Sequence, residues 1–439
     1  MTDPVDAGST ADRDRFDLAV VGLGYVGLPL AVRAVDAGLR TVGVDTSDSV
    51  VDGLIRGRSH IGDVDDSAVS GMLGAGFTAT TGTAVLSAAS VIVLCVPTGL
   101  TGSGQPDLSA VHAAVRSTGE RIRPGTLVCL ESTSHPGTTE DVVRPILERC
   151  SGLRVGEDLH LAYSPERIDP GNPQFGVANT PKVVAGCTPL CTKHATAFYE
   201  QLADPIVAAR GTREAETAKL LENSYRYVNI ALVNELAMFC AGAGIDVWDV
   251  LSCAASKPFG FTPFQPGPGV GGHCIPVDPR YLEVSARQVG VPLRTLETAR
   301  EVNERMPVHV ADQAAALLRS RGREPAGSRV LLLGVTYKPG VADMRESPAF
   351  AVARSLLAAG AHVRYHDPLI DEFHVDGHPL SRVDEPFDTE NDLLVLLQEH
   401  SCYDRERLAS GDRLVLDTRG PGSTRLPEHG PGEQGRPDA

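Results

Sequence analysis

The 439-residue sequence lacks long apolar segments. No window approaches the roughly 18 apolar residues that a membrane helix needs, and SVIVLCV and DLLVLL have the length of buried strands. The N-terminus, MTDPVDAGSTADRDRFD, has no basic start followed by an apolar run, so we expect no secretory signal. Basic residues are outnumbered, with 40 Lys and Arg against 56 Asp and Glu, and the resulting charge of −16 argues against a nucleic-acid partner. We therefore expect a cytoplasmic protein that binds neither membranes nor nucleic acid.

Cysteine pairs at metal-site spacing are also lacking. The nine cysteines are scattered, and although Cys187 and Cys191 are close, no second pair follows. We expect reduced thiols and no metal site. An apolar content of 42% and a charged content of 22% are typical of a globular protein, and the length favours two or three domains.

Two blocks of the chain resemble each other. One begins FDLAVVGLGYVG and the other SRVLLLGVTYKPG, and each continues with a helix-like stretch ending in Ala-Gly and a strand ending in Asp. This order is typical of βαβ units in parallel sheets covered on both faces. Between them, TREAETAKLLENSYRYVNIALVNELAMFCAGAG predicts a helix of about thirty residues.

We therefore predict an α/β fold in which two Rossmann-like parallel-sheet domains are joined by a long central helix and a helical dimerisation region. The predicted boundaries are 16–209 for the first domain, 210–305 for the helical part with Cys274, and 306–420 for the second domain. The polar, Gly- and Pro-rich ends, residues 1–15 and 421–439, are predicted to be disordered.

Gly22, Gly24 and Gly27 form a G-x-G-x-x-G turn between a strand and a helix. Asp45 closes the next strand 18 residues after Gly27, near the position of an acid that binds ribose hydroxyls. Such glycines let the backbone approach a pyrophosphate at the helix N-terminus. The next basic residue after Asp45 is Arg56, so NAD is favoured over NADP, whose 2′-phosphate the carboxylate would repel. A tight turn without a ligand is the alternative.

Cys274 lies in GPGVGGHCIPVDP, residues 267–279. Glycines permit a ligand close to the backbone, prolines stiffen the loop, and a thiolate held beside a hydride acceptor can capture an aldehyde. The alternative is a buried, inert cysteine. Lys219 and Asn223 are four residues apart on the central helix and share a face, which suits an oxygen that gains negative charge. The alternative is a solvated face where Lys219 pairs with a nearby glutamate, Glu216 or Glu222.

From about residue 16 to 420 the sequence resembles the UDP-glucose/GDP-mannose dehydrogenase family. The matching stretches are VVGLGYVGLPLA, VPT, ESTSHPGTTE, YSPERIDPGN, KLLENSYRYVNIALVNE, GPGVGGHCIPVDP, GVTYKPGVADMRESP and LDTRG. SPERIDPGN, KPFGF and GGHCIPVDP are most similar to the UDP-N-acetylglucosamine and UDP-N-acetylmannosamine 6-dehydrogenases. Many UDP-glucose enzymes of the family carry Arg-Ile-Gly where this chain has Pro258-Phe259-Gly260, which weighs against UDP-glucose.

The resemblance implies an NAD-dependent, four-electron oxidation of a nucleotide sugar at C6 to the uronate, for polysaccharide biosynthesis, by a homodimer. UDP-N-acetylglucosamine is the favoured substrate, with UDP-N-acetylmannosamine and UDP- or dTDP-glucose as alternatives. A two-electron NAD dehydrogenase and a non-enzymatic sensor of NAD or a nucleotide sugar are the rival functions. Neither rival has a use for Cys274.

The resemblance also implies roles for individual residues. Cys274 would be the nucleophile, Lys219 and Asn223 would stabilise the oxyanion, Glu166 would act with water or as a base, and Thr133 and Asp278 would hold that water. The implied NAD-binding residues are Gly22, Gly24, Tyr25, Val26, Gly27, Asp45, Pro97, Thr98, Thr133 and Arg345. The implied substrate-binding residues are Glu166, Arg167, Lys219, Asn223, Gln265, Gly267, Gly269, Gly271, Tyr337, Lys338 and Arg419.

Overall fold

The computed structural model describes residues 15–169, 172, 174–387, 390–410 and 413–420. The chain divides into two compact units: the first comprises the described residues up to Ser224 together with Val277–Leu293, and the second comprises Tyr225–Pro276 and the described residues from Arg294 onward. The segments predicted to be disordered, 1–15 and 421–439, lie outside the described residues except for Arg15.

The first unit is an α/β structure. Its strands are β1 (Phe16–Val21), β2 (Thr41–Val44), β3 (Thr78–Thr80), β4 (Ala89–Leu94), β5 (Gly99–Leu100), β6 (Pro106–Asp107), β7 (Leu127–Leu130), β8 (His160–Tyr163), β9 (Lys182–Gly186) and β10 (Ile206–Ala208). Its helices are α1 (Gly27–Asp36), α2 (Asp48–Ile55), α3 (Asp66–Gly74), α4 (Ser109–Gly119), α5 (Arg144–Ser151) and α6 (Pro189–Tyr199), with a 3₁₀ turn at Thr83–Ala88 and a π-helical turn at Thr138–Val143.

Eight of these strands form one sheet in the order β10-β9-β8-β7-β4-β1-β2-β3, and β5 and β6 form a separate hairpin. The pairs from β3 to β8 are parallel, but β9 runs antiparallel to β8, and β10 is parallel to β9. Leu18 and Val20 of β1 pack in one hydrophobic layer, whereas Ala19 packs in the other. Both faces are therefore buried, which is why these strands are nearly continuous apolar runs.

In chain order, the remaining elements are first a series of helices and then alternating strands and helices. The helices are α7 (Thr212–Ala243), α8 (Val247–Ala255), α9 (Cys274–Gln288), α10 (Arg294–Ser320), α11 (Pro348–Ala358) and α12 (Arg405–Ala409). The strands are β11 (Arg329–Leu333), β12 (His362–His366), β13 (His374–Val375), β14 (His378–Pro379), β15 (Ser381–Arg382), β16 (Leu393–Leu396) and β17 (Val415–Asp417). The division between the units falls within α7, after Ser224, and near the start of α9, before Val277.

The second unit contains a five-stranded parallel sheet in the order β15-β12-β11-β16-β17. Val330 and Leu332 of β11 face one hydrophobic layer, and Leu331 and Leu333 face the other. The predicted fold class is thus confirmed, with two Rossmann-like sheets and a central helix of 32 residues. Within the described residues, no helix combines the length and apolar character needed to cross a membrane.

Cys274 differs from the expectation of a stiff loop, because it is the first residue of α9. Pro276 occupies the first turn of that helix, where a backbone N–H would have no intrahelical partner in any case. Pro276 is therefore compatible with a helix start, whereas Pro279 lies inside α9. Glycine-rich chain precedes Cys274, and a helix follows it.

Candidate active site

Many of the predicted site residues of the first unit follow the carboxyl ends of neighbouring strands. Gly22 follows β1, Asp45 follows β2, Thr98 follows β4, Thr133 follows β7 and Glu166 follows β8. Pro97 is beside Thr98. Because these strands are parallel, the residues lie along one edge of the sheet, where open α/β sheets bind their ligands.

The glycine turn has two members that the fold requires and one that it does not. Gly22 has a φ of +91°, and a Cβ there would stand 2.6 Å from the carbonyl oxygen of Cys95. A Cβ on Gly27 would stand 1.9 Å from the carbonyl oxygen of Gly22. A Cβ on Gly24 would meet no protein atom within 4 Å. The turn, which also holds Tyr25 and Val26, therefore leaves open space at Gly24 for a ligand to approach the backbone.

Asp45 is fixed at the end of β2 by backbone donors. Its carboxylate accepts hydrogen bonds from the N–H of Leu23, at 2.8 Å, and from the N–H of Ser47, at 2.9 Å. Arg56, the next basic residue along the chain, pairs with Asp52 at 3.2 Å. The turn and this carboxylate fit the pyrophosphate and the ribose hydroxyls of NAD.

Lys219, Asn223 and Asp278 come together in the first unit, and all three are buried. Asn223 Nδ2 lies 2.5 Å from Asp278 Oδ2. Burial raises the pKa of Asp278 to about 6, although the charge of Lys219 and the hydrogen bond from Asn223 oppose that rise. Helices α7 and α9 thus combine an ammonium, an amide and a carboxylate in one buried cluster.

Lys219 does not lie on a solvent-exposed helix face paired with Glu216 or Glu222, which was the alternative interpretation. The carboxylate of Glu216 accepts hydrogen bonds from the N–H of Gly137, at 2.6 Å, and from the N–H of Thr139, at 2.8 Å. Burial raises the pKa of Glu216 to about 7 against these bonds. Glu222 instead pairs with the predicted substrate ligand Arg167, at 2.8 Å. Both candidate glutamates are therefore engaged elsewhere.

Glu166 is held by two kinds of donor. Its Oε1 accepts hydrogen bonds from the N–H of Arg167, at 2.7 Å, and of Ile168, at 2.6 Å. Its Oε2 lies 3.4 Å from Nζ of Lys182, which also lies 3.1 Å from Oε1 of Glu131. Lys182 and Glu131 are not among the site residues predicted from the sequence. Glu131 offered a signal, since it directly follows β7, two residues before Thr133.

In the second unit, the glycine-rich segment packs on Tyr337. A Cβ on Gly271 would stand 2.8 Å from Cβ of Tyr337 and 2.8 Å from the carbonyl oxygen of Glu346. Gly272 has a φ of +88° and lies against the ring of Tyr337. Cys274, which is exposed, follows two residues later as the start of α9. Glycine is thus required before Cys274 because no side chain would fit.

Arg419 lies beside the same segment in the second unit. The N–H of Gly267 donates to Oδ1 of Asn234 at 2.9 Å, and a Cβ on Gly267 would stand 3.2 Å from Nη1 of Arg419. Arg419 Nε donates to the carbonyl oxygen of Leu397 at 2.7 Å. Burial lowers the pKa of Arg419 to about 10, so the guanidinium stays charged at neutral pH.

Four further predicted ligands belong to the second unit: Arg345, Lys338, Gln265 and Gly269. Arg345 forms a fork with Asp343, with Nη2 to Oδ2 at 2.6 Å. Lys338 follows Tyr337, Gln265 is exposed, and Gly269 has a φ of +135°. Among the described residues, no group of three or more His, Cys, Asp or Glu side chains has the arrangement of a metal site.

Three family models match the chain in order: the NAD-binding domain of the UDP-glucose/GDP-mannose dehydrogenase family at residues 16–203, its central domain at 213–305 and its UDP-binding domain at 331–421. The chain belongs to this family. It is an NAD-dependent oxidoreductase that acts on CH–OH groups of nucleotide sugars, and the predicted family and cofactor are confirmed.

Related proteins match nearly the whole length. The chain is 35% identical over 426 residues to the UDP-N-acetyl-D-mannosamine dehydrogenase of Escherichia coli K12, covering 92% of this chain and 98% of that protein. It is 36% identical over 394 residues to the UDP-N-acetyl-D-glucosamine 6-dehydrogenase of Pseudomonas aeruginosa, covering 88% and 91%. The solved structure of the UDP-D-ManNAc dehydrogenase of Pyrococcus horikoshii is similar with a TM-score of 0.83 and 30% identity, covering 95% and 97%.

Proposed function

We propose that this protein oxidises C6 of a UDP-linked N-acetylhexosamine from the alcohol to the carboxylate, a four-electron reaction. The observation that carries the proposal is the buried cluster of Lys219, Asn223 and Asp278, in which Asp278 lies one turn after Cys274 on α9. An ammonium and an amide donor suit an oxygen that becomes negative in the transition state. A cysteine at the start of the same helix suits covalent capture of an aldehyde.

NAD, when bound, would supply the hydride acceptor, with one molecule for the alcohol and a second, fresh molecule for the covalent thiohemiacetal. Glu166 takes the proton of the C6 hydroxyl, directly or through water, as the aldehyde forms. The thiolate of Cys274 then adds to the aldehyde carbon, and Lys219 and Asn223 hold the new alkoxide while protonated Glu166 returns its proton to it. Loss of the second hydride to a second NAD molecule, as Glu166 takes the hydroxyl proton again and passes it to solvent, would convert the thiohemiacetal to a thioester.

Hydrolysis of the thioester completes the reaction. Thr133 and Asp278 hold the water, Glu166 or Asp278 takes its proton, and the hydroxide adds to the thioester carbon. The carbon–sulfur bond then breaks, which releases the uronate and restores the thiolate. A carboxyl group whose pKa is about 6, as in Asp278, can accept a proton near neutral pH.

We assign the ligands to the two sheets. Residues 16–209 hold NAD through Gly22, Gly24, Gly27 and Asp45, with Tyr25, Val26, Pro97, Thr98 and Thr133 as the further contacts. Arg345, which lies outside that range, is assigned to NAD as well. Residues 306–420 and the preceding loop hold the UDP-sugar through Tyr337, Lys338 and Arg419, with Gln265, Gly267, Gly269 and Gly271. Glu166, Arg167, Lys219 and Asn223 complete the sugar site. A few Lys and Arg side chains around the diphosphate would allow a protein with a net charge of −16 to bind an anionic substrate.

The sugar is proposed as an N-acetylhexosamine for two reasons. Pro258-Phe259-Gly260 replaces the Arg-Ile-Gly expected for UDP-glucose, and related proteins are named for UDP-N-acetylmannosamine and UDP-N-acetylglucosamine. UDP-N-acetylglucosamine and its 2-epimer are therefore the first substrates to test. We further propose a homodimer, supported by the exposed apolar residues Leu232 and Phe239 on one face of α7.

The test is a substrate panel read as NADH formed per sugar consumed. UDP-N-acetylglucosamine, UDP-N-acetylmannosamine, UDP-glucose and dTDP-glucose are each incubated with excess NAD, and NADH is measured by absorbance while the sugar product is identified by mass. We expect two NADH and a uronate from a UDP-N-acetylhexosamine. One NADH and an aldehyde would indicate a two-electron dehydrogenase, and NAD binding without turnover of any sugar would indicate a sensor.

A further inference from the structure

The reversed strand β9 brings Lys182 to the ligand-binding edge of the first sheet. Tyr163 of β8 pairs with Ala185 of β9 in antiparallel register. Extending that register by three residues places residue 166 opposite residue 182. Lys182, the first residue of β9, therefore meets Glu166 just beyond the carboxyl end of β8. A parallel β9 would have placed its first residue at the opposite edge of the sheet.

Lys182 is a buried ammonium between two carboxylates. Its side chain is 6% exposed, and its Nζ lies 3.1 Å from Oε1 of Glu131 and 3.4 Å from Oε2 of Glu166. The side chain of Glu131 is fully buried, and its Oε1 accepts a hydrogen bond from the hydroxyl of Tyr199 at 2.6 Å. Lys182 Nζ also lies 5.3 Å from the centre of the Tyr199 ring. These contacts leave Lys182 little freedom.

The other oxygen of Glu131, Oε2, is buried and has no hydrogen-bond partner among the described residues. Burial raises the pKa of Glu131, and the charge of Lys182 opposes that rise, so the ionised form of this buried carboxylate depends on Lys182. Glu131 and Glu166 therefore compete for the same positive charge.

Few other titratable groups face this cluster. Cys129 of β7 is buried and Cys95, which follows β4, is partly buried, and desolvation raises the pKa of both thiols. Burial likewise raises the pKa of the Tyr199 hydroxyl. These three groups stay neutral near pH 7. Arg167, which neighbours Glu166, directs its guanidinium to Glu222, so Lys182 is the cation that Glu131 and Glu166 share.

We propose that Lys182 is a positioning residue that holds the carboxylate of Glu166 in place and ionised, and that Glu131 limits its effect by sharing the same ammonium. This inference rests on the proposed function, in which Glu166 takes protons during the reaction. The inference predicts that removal of Lys182 and removal of Glu131 have opposite effects on the protonation of Glu166. Loss of the cation makes Glu166 easier to protonate, and loss of the competing carboxylate makes it harder to protonate.

The experiment is the pH dependence of kcat for Lys182→Met and Glu131→Gln. In Lys182→Met, the acid limb of the kcat–pH profile is expected to move to higher pH by about 1–3 units, because a neighbouring opposite charge usually changes a carboxyl pKa by that amount. In Glu131→Gln, the acid limb is expected to move to lower pH, by up to about one unit. Lys182→Arg restores the positive charge and should return the limb towards the wild-type position. Lys193→Met, at an exposed lysine on α6, is the matched control and should not move it.

A purely structural role for Lys182 would lower activity equally at all pH values and leave the acid limb in place, and that result overturns the inference. Because Lys182→Met leaves two carboxylates without a cation, it is also made with Glu131→Gln. The double variant removes the uncompensated Glu131 charge, and its limb should still lie above that of the wild type. Shifts of the two single variants in the same direction would also overturn the inference.

A second measurement does not depend on turnover. The protonation of Glu166 is followed in the unliganded protein by the infrared band of its carboxylic acid, identified by its loss in Glu166→Gln. The midpoint should rise in Lys182→Met and fall in Glu131→Gln, and an unmoved midpoint overturns the inference. If the midpoints move as expected but the wild-type protein oxidises no UDP-sugar, the proposed function fails and the charge coupling stands.

Discussion

At the scale of single residues, Cys274 differs in its surroundings from the other cysteines. Cys129, Cys191 and Cys240 are buried, where a thiol behaves as a small apolar side chain. Cys253 and Cys402 are exposed like Cys274, but Cys253 lies near the C-terminal end of α8 and Cys402 lies in a turn. Cys274 begins α9, and a helix N-terminus favours a thiolate. Exposure and helix position together distinguish a nucleophile from an inert thiol.

Replacing Cys274 with serine should abolish uronate formation while NAD still binds. A hydroxyl at this position is a far weaker nucleophile than a thiolate, so we expect kcat for uronate to fall by about 10³-fold or more. Uronate is measured by mass and NAD affinity by calorimetry. Cys253→Ser, which alters an exposed thiol in the same unit, is the control and should keep wild-type activity. Ordinary turnover by Cys274→Ser would contradict the covalent role.

At the scale of elements, the turn between β1 and α1 separates folding from binding. Gly27 packs against the backbone of Gly22, whereas Gly24 faces open space. A methyl group added at Gly27 and one added at Gly24 therefore test different properties. At Gly27 it tests whether the helix can approach the strand. At Gly24 it tests whether a ligand approaches the backbone.

We expect Gly24→Ala to weaken NAD binding and Gly27→Ala to destabilise the fold. The Gly24→Ala methyl group meets no protein atom, so the melting temperature should match the wild type, while NAD affinity falls about tenfold or more, equivalent to about 1.4 kcal/mol. The Gly27→Ala methyl group overlaps the Gly22 carbonyl and should cost about 1–3 kcal/mol of unfolding free energy. Calorimetry and thermal unfolding measure the two effects. Unchanged NAD affinity in Gly24→Ala would contradict the proposed pyrophosphate position.

The elements also show where prediction from the sequence ends. Apolar runs followed by Gly or Asp predicted the strands of both βαβ units and the glycine and aspartate at their carboxyl ends, whereas Thr98 and Thr133 were predicted from the family resemblance. The direction of β9 was not predictable, because the buried run KVVAG has the same pattern in either direction. Lys182 was therefore missed. The helical start at Cys274 was missed because glycine and proline around it were interpreted as a loop.

At the scale of the whole molecule, both sheets contain the same order of strand, loop, helix and strand. The aspartate that follows the second of these strands has a different environment in each sheet. Asp45, at the end of β2, accepts two backbone hydrogen bonds and is partly exposed. Asp367, in the same position after β12, is fully buried and accepts hydrogen bonds from the N–H groups of Val335 and Thr336, and its Oδ2 lies 3.2 Å from Nε2 of His400. The second aspartate thus stabilises the loop that carries Tyr337 rather than being open to a ribose. One sheet retains the features of a dinucleotide site, and the other supports a loop with an aromatic residue and a lysine.

The central helix provides the surface expected to join two copies of this molecule. Leu232 and Phe239 are seven residues apart, so they lie on the same face of α7, and each is 62% exposed. Large apolar side chains repeated along one helix face are typical of a helix that packs on a partner. A second copy of the chain would cover both side chains at once, because a two-fold axis repeats the same face.

The double variant Leu232→Glu/Phe239→Glu should therefore dissociate the proposed dimer. Burying one such side chain contributes about 1.5–3 kcal/mol, and a symmetric dimer loses each contribution twice, so its Kd should rise by at least about 100-fold. Light scattering during gel filtration measures the mass directly. Val207→Glu, at a 47% exposed residue on β10, changes the charge equally per site and should leave the mass of a dimer unchanged. A double variant that keeps the wild-type dimer mass would show that this face of α7 does not join the subunits.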